Sequence, residues 1–294
     1  MDAPDPCAAR EGATVPAVVP NLTLNNGVEI PQLGFGVFQV EPAQTADVVL
    51  DAFDAGYRHI DTAQMYKNEA GVGEALARSG LDRAEVFITS KLNNGFHEPQ
   101  AAHDAFERTL EALGTPYVDL FLIHWPLPEV GDFVDTWQAL EALYATGRIR
   151  AIGVSNFHEH HLRRLAETST VTPAVNQIEV HPYLSQNPLR AYGREHRIIT
   201  EAWSPIAQGK VLGDPELVGI GGAHGRTPAQ VALRWHLQRG DVVFPKTTHR
   251  ERMTENLALF DFELAEEEMA AIEALDRGMR TGPDPDEFNW VPQD

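Results

Sequence analysis

Residues 118–154 read VDLFLIHWPLPEVGDFVDTWQALEALYATGRIRAIGV. Val118–Ile123 is apolar apart from Asp119 and has the length of a strand, as does Ile149–Val154 at the other end. Between them Phe133, Trp137, Leu140 and Tyr144 recur at helical spacing and make one apolar stripe. Strand, helix, strand in this span is a βαβ unit, with a polar residue, His124, directly behind its first strand.

The same alternation extends both ways. Strand-like runs occur at Gln32–Gly36, Arg58–Asp61, Val86–Ser90, Ala174–Ile178, Ile198–Ala202 and Val242–Phe244. Ala46, Val49, Leu50 and Phe53 form a helical stripe with Pro42 in its first turn and Gly56 behind it. Thr227-Pro228 reads as the cap and first turn of a helix carrying Val231, Ala232 and Trp235. Eight βα units within about 250 residues predict an α/β fold, a (β/α)8 barrel. An open doubly wound sheet is the alternative. It wants a glycine-rich turn after its first strand. Gly71-Val72-Gly73 comes later and lacks the third glycine, so those glycines are read as helix packing.

Ahead of the barrel, Asn25-Asn26-Gly27 between Leu22-Thr23-Leu24 and Val28-Glu29-Ile30 predicts a β-hairpin. Residues 1–20 read as a flexible extension, residues 21–294 as one domain, and Gly278 to Asp294 as a tail over the barrel. The extension has no basic start followed by an apolar core, so it does not read as a secretory signal. The 294 residues are 43% hydrophobic, enough for a sizeable core, and carry a formal net charge of −20. That charge repels nucleic acid and anionic membranes, so neither is an expected partner. Cys7 is the single cysteine, which excludes an intrachain disulfide and a multi-cysteine zinc site and suits a reducing compartment. The expectation is a cytoplasmic monomer acting on a small molecule.

Unusual polar residues fall at the strand ends. Asp61 ends HID, Lys91 follows FITS, His124 follows LFLI, Ser155-Asn156 follow AIGV, Gln177 follows AVN, Trp203 follows IITEA and Lys246 follows VVFP. In a βα barrel the C-terminal strand ends meet at one mouth, where active sites form. Taken singly, Asp61 reads as a helix cap, Lys91 as a surface lysine and His124 as a core histidine. Jointly they put an acid, a base, a histidine and, from the following loop, Tyr66 at one rim. His158, His160 and His161 lie in HEHH, which is not the HExxH zinc pattern. They read as a solvated helix start, and no metal is expected. GVSNF lacks the closing glycine of a hydrolase elbow.

Several long stretches closely resemble the aldo-keto reductase family, in the family's order from about Asn21 to the C-terminus. They are DTAQMYKNEAGVGEAL at 61–76, FITSKL at 87–92, LIHWP at 122–126, GVSNF at 153–157, VNQIEVHP at 175–182 and FPKTTHRERMTENLALFDFEL at 244–264. EAWSPIAQGK at 201–210 resembles the bacterial 2,5-diketo-gluconic acid reductase group. The resemblance implies NADPH-dependent reduction of small aldehydes or ketones, with Asp61, Tyr66, Lys91 and His124 as the catalytic set. The chemistry agrees. Carbonyl reduction builds negative charge on oxygen that must be protonated. A lysine beside a tyrosine is expected to lower the phenol pKa, with Asp61 holding that lysine charged. His124 is suited to hydrogen-bond the substrate oxygen.

The resemblance further implies that Trp203 stacks on the nicotinamide of NADPH (NADP+) and that Ser155, Asn156 and Gln177 meet its carboxamide. Ser204, Pro205, Ile206, Gln208 and Gly209 form the following cofactor loop. Lys246, Thr247, Thr248 and Arg252 suit the 2′-phosphate, with Glu255 and Asn256 near the adenine. His249 stands where the subfamily usually has arginine, so some NADH use is expected. Phe38, Trp125, Phe288 and Trp290 are candidate pocket walls; for the two tail aromatics, simply capping the barrel is the equal alternative. Two other functions compete with the reductase. A nicotinamide-binding regulatory subunit needs the cofactor groove but not Tyr66, and a barrel hydrolase needs a second rim acid that the sequence does not single out.

Overall fold

The computed structural model describes residues 19–292. The expected extension, with Cys7, lies outside the described residues except for Val19 and Pro20. A hairpin of β1 (Asn21–Thr23) and β2 (Glu29–Pro31) comes first, antiparallel as expected. Its turn needs Gly27, at φ +86°.

Eight parallel strands follow. They are β3 (Phe35–Gly36), β4 (His59–Asp61), β5 (Phe87–Leu92), β6 (Val118–Ile123), β7 (Ile149–Ser155), β8 (Val175–Glu179), β9 (Ile199–Trp203) and β10 (Val242–Val243), paired in sequence order. The expected first strand, Gln32–Gly36, is shorter than its apolar run. Leu33 contributes an isolated parallel bridge to Val243, and the Gly34 amide donates to the Val243 carbonyl at 2.7 Å. These contacts close the sheet into a barrel. Gly36 is required there, because a Cβ would lie 2.7 Å from the Phe244 carbonyl oxygen.

Among the described residues ten α-helices surround the strands: α1 (Pro42–Ala55), α2 (Glu69–Ser79), α3 (Pro99–Leu113), α4 (Phe133–Tyr144), α5 (Glu159–Thr168), α6 (Asn187–Glu195), α7 (Pro215–His224), α8 (Pro228–Gln238), α9 (Arg250–Leu257) and α10 (Glu266–Glu273). The expected punctuation holds. Pro42 opens α1 and left-handed Gly56 ends it, while Thr227 and Gln230 form the capping box of α8. A Cβ at Gly71 would meet Thr45, and one at Gly73 would meet the carbonyls of Ala112 and Leu113. These glycines let α2 approach α1 and α3, as their reading as packing residues required.

Period-two alternation along each strand sorts the core. Phe121 and Ile123 belong to the layer between sheet and helices, whereas Leu120 and Leu122 pack inside the barrel. The hairpin residues Leu24 and Ile30 join Phe87, Leu120, Ala151, Val175 and Val242 to plug the lower end. On four inward-facing rows the side chains turn polar at His59, Thr89, Gln177 and Glu201, all buried, while on β6 and β7 Leu122 and Gly153 precede the rim residue by two. The inward rows of β4, β5, β6, β7 and β9 reach the mouth as Asp61, Lys91, His124, Ser155 and Trp203. The phase of each strand therefore delivers the rim residues to one place.

One expectation needs correction. The HEHH histidines are not simply a solvated helix start. His158 caps α5, His161 is buried, and Asp286 of the C-terminal tail lies against all three.

Candidate active site

Lys91 is fully buried, and its ammonium is fully engaged. Nζ donates to Asp61 Oδ1 at 2.7 Å, to the Thr62 carbonyl at 2.8 Å and to the Tyr66 hydroxyl at 3.3 Å. A lysine has three donors, so none is left over. Burial works against the charged form, but Asp61 and the Tyr66 oxygen outweigh it and hold Lys91 above its ordinary value. The second Asp61 oxygen accepts from Gln177 Nε2 at 2.8 Å. Burial pushes the Asp61 carboxyl upward, against the pull of Lys91 and Gln177.

Tyr66 ends a short 3-10 turn, Gln64–Tyr66, and left-handed Lys67 sends the chain on into α2. Its phenol differs from expectation. Burial raises it above its ordinary value, and the opposing pull of Lys91 does not cancel that rise. Sequence identifies the cation but not the desolvation. The His124 ring meets Tyr66 edge-on, with centroids 5.8 Å apart. Burial, then the Lys91 and His97 charges, depress its pKa well below the usual range. The ring is therefore neutral at neutral pH and offers one N–H and one lone pair.

Sequence reasoning missed Glu201, inside EAWSP on β9. It is fully buried, and its Oε2 accepts from the same Gln177 nitrogen that serves Asp61, at 2.8 Å. Oε1 has no partner. Burial and the neighbouring Asp61 charge push Glu201 up to about 8. The signal was available in phase: Glu201 lies two residues before Trp203, on the inward row. A second acid therefore stands beside Asp61, below the rim and linked to it by an amide.

A carboxyl whose folded pKa is raised stabilises the fold fully below its unfolded value of 4.5 and loses that contribution as pH climbs through about 8. Glu201→Gln mimics the neutral acid. Its stability advantage over the wild type is expected to grow with pH across this window, by at most about 1.4 kcal/mol per unit. Urea unfolding at the two ends of the window checks this. A gap independent of pH would mean that Glu201 is already ionised.

Four of the expected cofactor residues, Trp203, Asn156, Ser155 and Gln177, are tied to one another at the mouth. Trp203 Nε1 donates to Asn156 Oδ1 at 2.8 Å, fixing the indole, while Asn156 Nδ2 donates to the His124 carbonyl at 3.0 Å. Ser155 Oγ donates to the Gln177 carbonyl at 2.9 Å. Gln177 Oε1 accepts nothing among the described residues. Ser204, Ala207 and Gln208 all have positive φ, so the loop to Gly209 holds three left-handed non-glycine residues, a strained geometry typical of binding sites. Lys246 and Arg252 are exposed and make no ion pair among the described residues, whereas neighbouring Arg250 pairs with Asp51 and Asp54. Thr247 Oγ1 accepts from the His249 amide at 3.1 Å, and Thr248 is exposed beside it. Glu255 Oε1 accepts from Thr227 Oγ1 at 2.7 Å, and Asn256 is buried. A nicotinamide dinucleotide fits this donor set: an oriented indole, an unused amide oxygen and two unpaired cations.

The candidate pocket walls divide. Phe38 packs on Tyr66 at 5.0 Å, and Trp125 meets Phe288 at 4.2 Å between centroids. Trp290 is 54% exposed, with its carbonyl held by Asn94 Nδ2. The tail crosses the mouth as expected. Glu179 accepts the amides of Thr281 and Gly282, and a Cβ on Gly282 would lie 2.5 Å from the Trp203 ring.

Comparison with known proteins agrees with this geometry. The model of the "Aldo/keto reductase family" matches residues 32–216 and 210–277. An "Aldo-keto reductase" of Mycobacterium sp. (strain KMS) is 49% identical over 272 residues, covering 92% of this chain and 99% of that one. The "Glyoxal reductase" of Bacillus subtilis (strain 168) is 49% identical over 266 residues, covering 90% and 96%. The crystal structure of a mutant Gox0644 in complex with NADPH superposes with a TM-score of 0.90 at 43% identity, covering 93% of this chain and 100% of that one. Matched along most of its length by the family model and by relatives approaching half identity, this chain belongs to the aldo/keto reductase family.

Proposed function

We propose that this enzyme reduces small aldehydes and ketones with NADPH, using Tyr66 as the proton donor. The observation that carries the reading is the Lys91 clamp, a buried ammonium with one donor on Asp61 and another on the Tyr66 hydroxyl. When bound, NADPH supplies the hydride. Tyr66 gives its phenolic proton to the carbonyl oxygen as negative charge builds there. Lys91 stabilises the phenolate left behind, and Asp61 keeps Lys91 charged and in place. Neutral His124 directs its N–H at the substrate oxygen and fixes the carbonyl's orientation. Reversed, the same groups make Tyr66 the base for alcohol oxidation.

Trp203 would stack on the nicotinamide and Gln177 Oε1 would accept from its carboxamide, with Ser155 and Asn156 holding both partners in position. The Ser204–Gly209 loop would lie along the phosphates. Phe38, Trp125 and Phe288 would wall the carbonyl pocket, with Trp290 at its edge. The EAWSPIAQGK stretch and the glyoxal reductase relative both favour small, oxygen-rich carbonyl compounds of the 2,5-diketo-gluconic acid type. The reading takes residues 21–294 as one domain acting as a cytoplasmic monomer, with residues 1–20 as an appended extension.

Cofactor choice tests the groove. The net charge of −20 disfavours the extra phosphate of NADPH at long range, so preference must come from Lys246, Thr247 and Arg252. A charge-assisted hydrogen bond contributes about 1.5–3 kcal/mol, or about ten- to a hundredfold in Kd. Arg252→Ala is expected to weaken NADPH binding by about that factor and leave NADH binding nearly unchanged. His249→Arg should sharpen the preference, because it adds a fixed, fork-shaped cation suited to a phosphate. Quenching of tryptophan fluorescence gives both constants. Equal wild-type affinity for the two cofactors would remove the 2′-phosphate assignment.

A further inference from the structure

Away from the catalytic groups, the start of α5 and the C-terminal tail bring together side chains that the reductase reading does not use. His158 Nδ1 and His160 Nε2 each lie 3.1 Å from Asp286 Oδ1, and His161 Nε2 lies 3.4 Å from the same oxygen. Three imidazole nitrogens thus crowd one carboxylate oxygen, while Oδ2 of Asp286 takes no hydrogen bond among the described residues. One nitrogen from each of His158 and His160 and one oxygen of Asp286 lie close enough together to serve a single ion.

We propose that His158, His160 and Asp286 bind a divalent transition-metal ion of the zinc class, and that this ion pins the tail to the barrel. The donor atoms of the three lie within 4.8 Å of one another. Around a tetrahedral zinc ion, ligands at about 2.0–2.2 Å stand about 3.3 Å apart, so a small contraction closes the site. Two imidazoles and one carboxylate select zinc, nickel, cobalt or copper over magnesium or calcium, which prefer all-oxygen shells. Water completes the coordination. His161 is not a ligand: its Nδ1 accepts the His158 amide at 3.1 Å, which leaves the proton on Nε2.

The surroundings fit both the free and the loaded states. At present Arg280 donates to His158 Nε2 at 2.9 Å, so Nε2 accepts and the ring proton sits on Nδ1. Ligation through Nδ1 requires that proton to move to Nε2 and Arg280 to let go. Asp284 is placed for both changes. Its Oδ1 lies 4.0 Å from His158 Nε2, and its Oδ2 lies 3.6 Å from Arg280 Nε. The loaded site would then have a carboxylate behind the ligating histidine, the usual support that orients such a ring.

Pinning matters because Asp286 lies in the turn that carries Phe288. The Phe288 amide donates to the Asp284 carbonyl at 2.9 Å, and the Phe288 ring packs on Trp125 directly after His124. An ion held by α5 and this turn fixes the wall of the pocket mouth. The sequence could not show the site, since its third ligand comes from the far tail.

Isothermal titration of untagged, chelator-treated protein with zinc chloride tests the proposal without any activity assay. The expected result is one ion per chain at micromolar affinity and no response to magnesium. His160→Ala and Asp286→Asn should each weaken binding by about 10–100-fold or more, as losing ligand-shell groups does. His160 is exposed, so its replacement leaves folding intact, and equal melting temperatures in chelator verify this. Zinc should also slow tryptic cleavage after Arg277 and Arg280 in the wild type and not in His160→Ala. Absence of stoichiometric binding in the wild type, or undiminished binding in both variants, overturns the site. Binding without tryptic protection overturns the pinning.

Discussion

Tyr66→Phe is expected to lower kcat by about 10²–10⁴-fold, the usual contribution of a positioned general acid, while leaving NADPH affinity within a factor of about two. The change deletes only the hydroxyl that receives the third Lys91 donor at 3.3 Å. The ring remains between Phe38 and His124, so the pocket keeps its shape. No hydrogen bond or ring contact among the described residues joins Tyr66 to Trp203, Lys246 or Arg252. Loss of turnover without loss of cofactor binding therefore separates proton donation from a structural role. Steady-state rates and fluorescence titration measure the two quantities, and a near-wild-type kcat would remove Tyr66 from the mechanism.

Lys91→Met should act through the phenol and the fold together. A cation within about 4–6 Å shifts a neighbouring pKa by about 1–3 units, so its removal makes Tyr66 a weaker acid and cuts the reduction rate by about 10–10³-fold. Tyr66 already sits above its ordinary value because burial outweighs Lys91. Removing the ammonium raises it further, so alcohol oxidation, which needs the phenolate, shifts the acidic limb of its pH profile to higher pH. The buried Asp61 carboxylate also loses its partner, a change that costs about 3–5 kcal/mol unless the acid takes up a proton. Asp61→Asn keeps the lysine and one acceptor and should give a milder loss of rate. An unchanged pH–rate profile in Lys91→Met would contradict the coupling.

Much of this was legible in the sequence because strand phase is. Val118–Ile123 is buried on both faces, with Asp119 its one polar residue, since one face meets the barrel interior and the other the helices, so the run and the strand coincide. The rim residues were readable because each stands near the C-terminal end of such a run. Three features were not. β3 is short because close approach to Phe244, not apolar content, decides where pairing occurs. Glu201 hid inside a stretch that resembles the cofactor loop, and its depth and its link through Gln177 depend on three strands at once. The Tyr66 pKa depends on how much water the folded site excludes, and no list of neighbours in sequence supplies that.

The central claim is that the Lys91 clamp makes Tyr66 a proton donor to a carbonyl reduced by NADPH. Mixing the protein with NADPH and, in turn, a small dialdehyde, an α-keto ester and a keto sugar, while measuring NADPH consumed and alcohol formed, tests it most directly. The account predicts alcohol in equal amount to NADPH consumed with at least one of them, and none in Tyr66→Phe beyond its residual rate. Tight NADPH binding with no alcohol from any of them would contradict it and leave a nicotinamide-binding barrel without turnover.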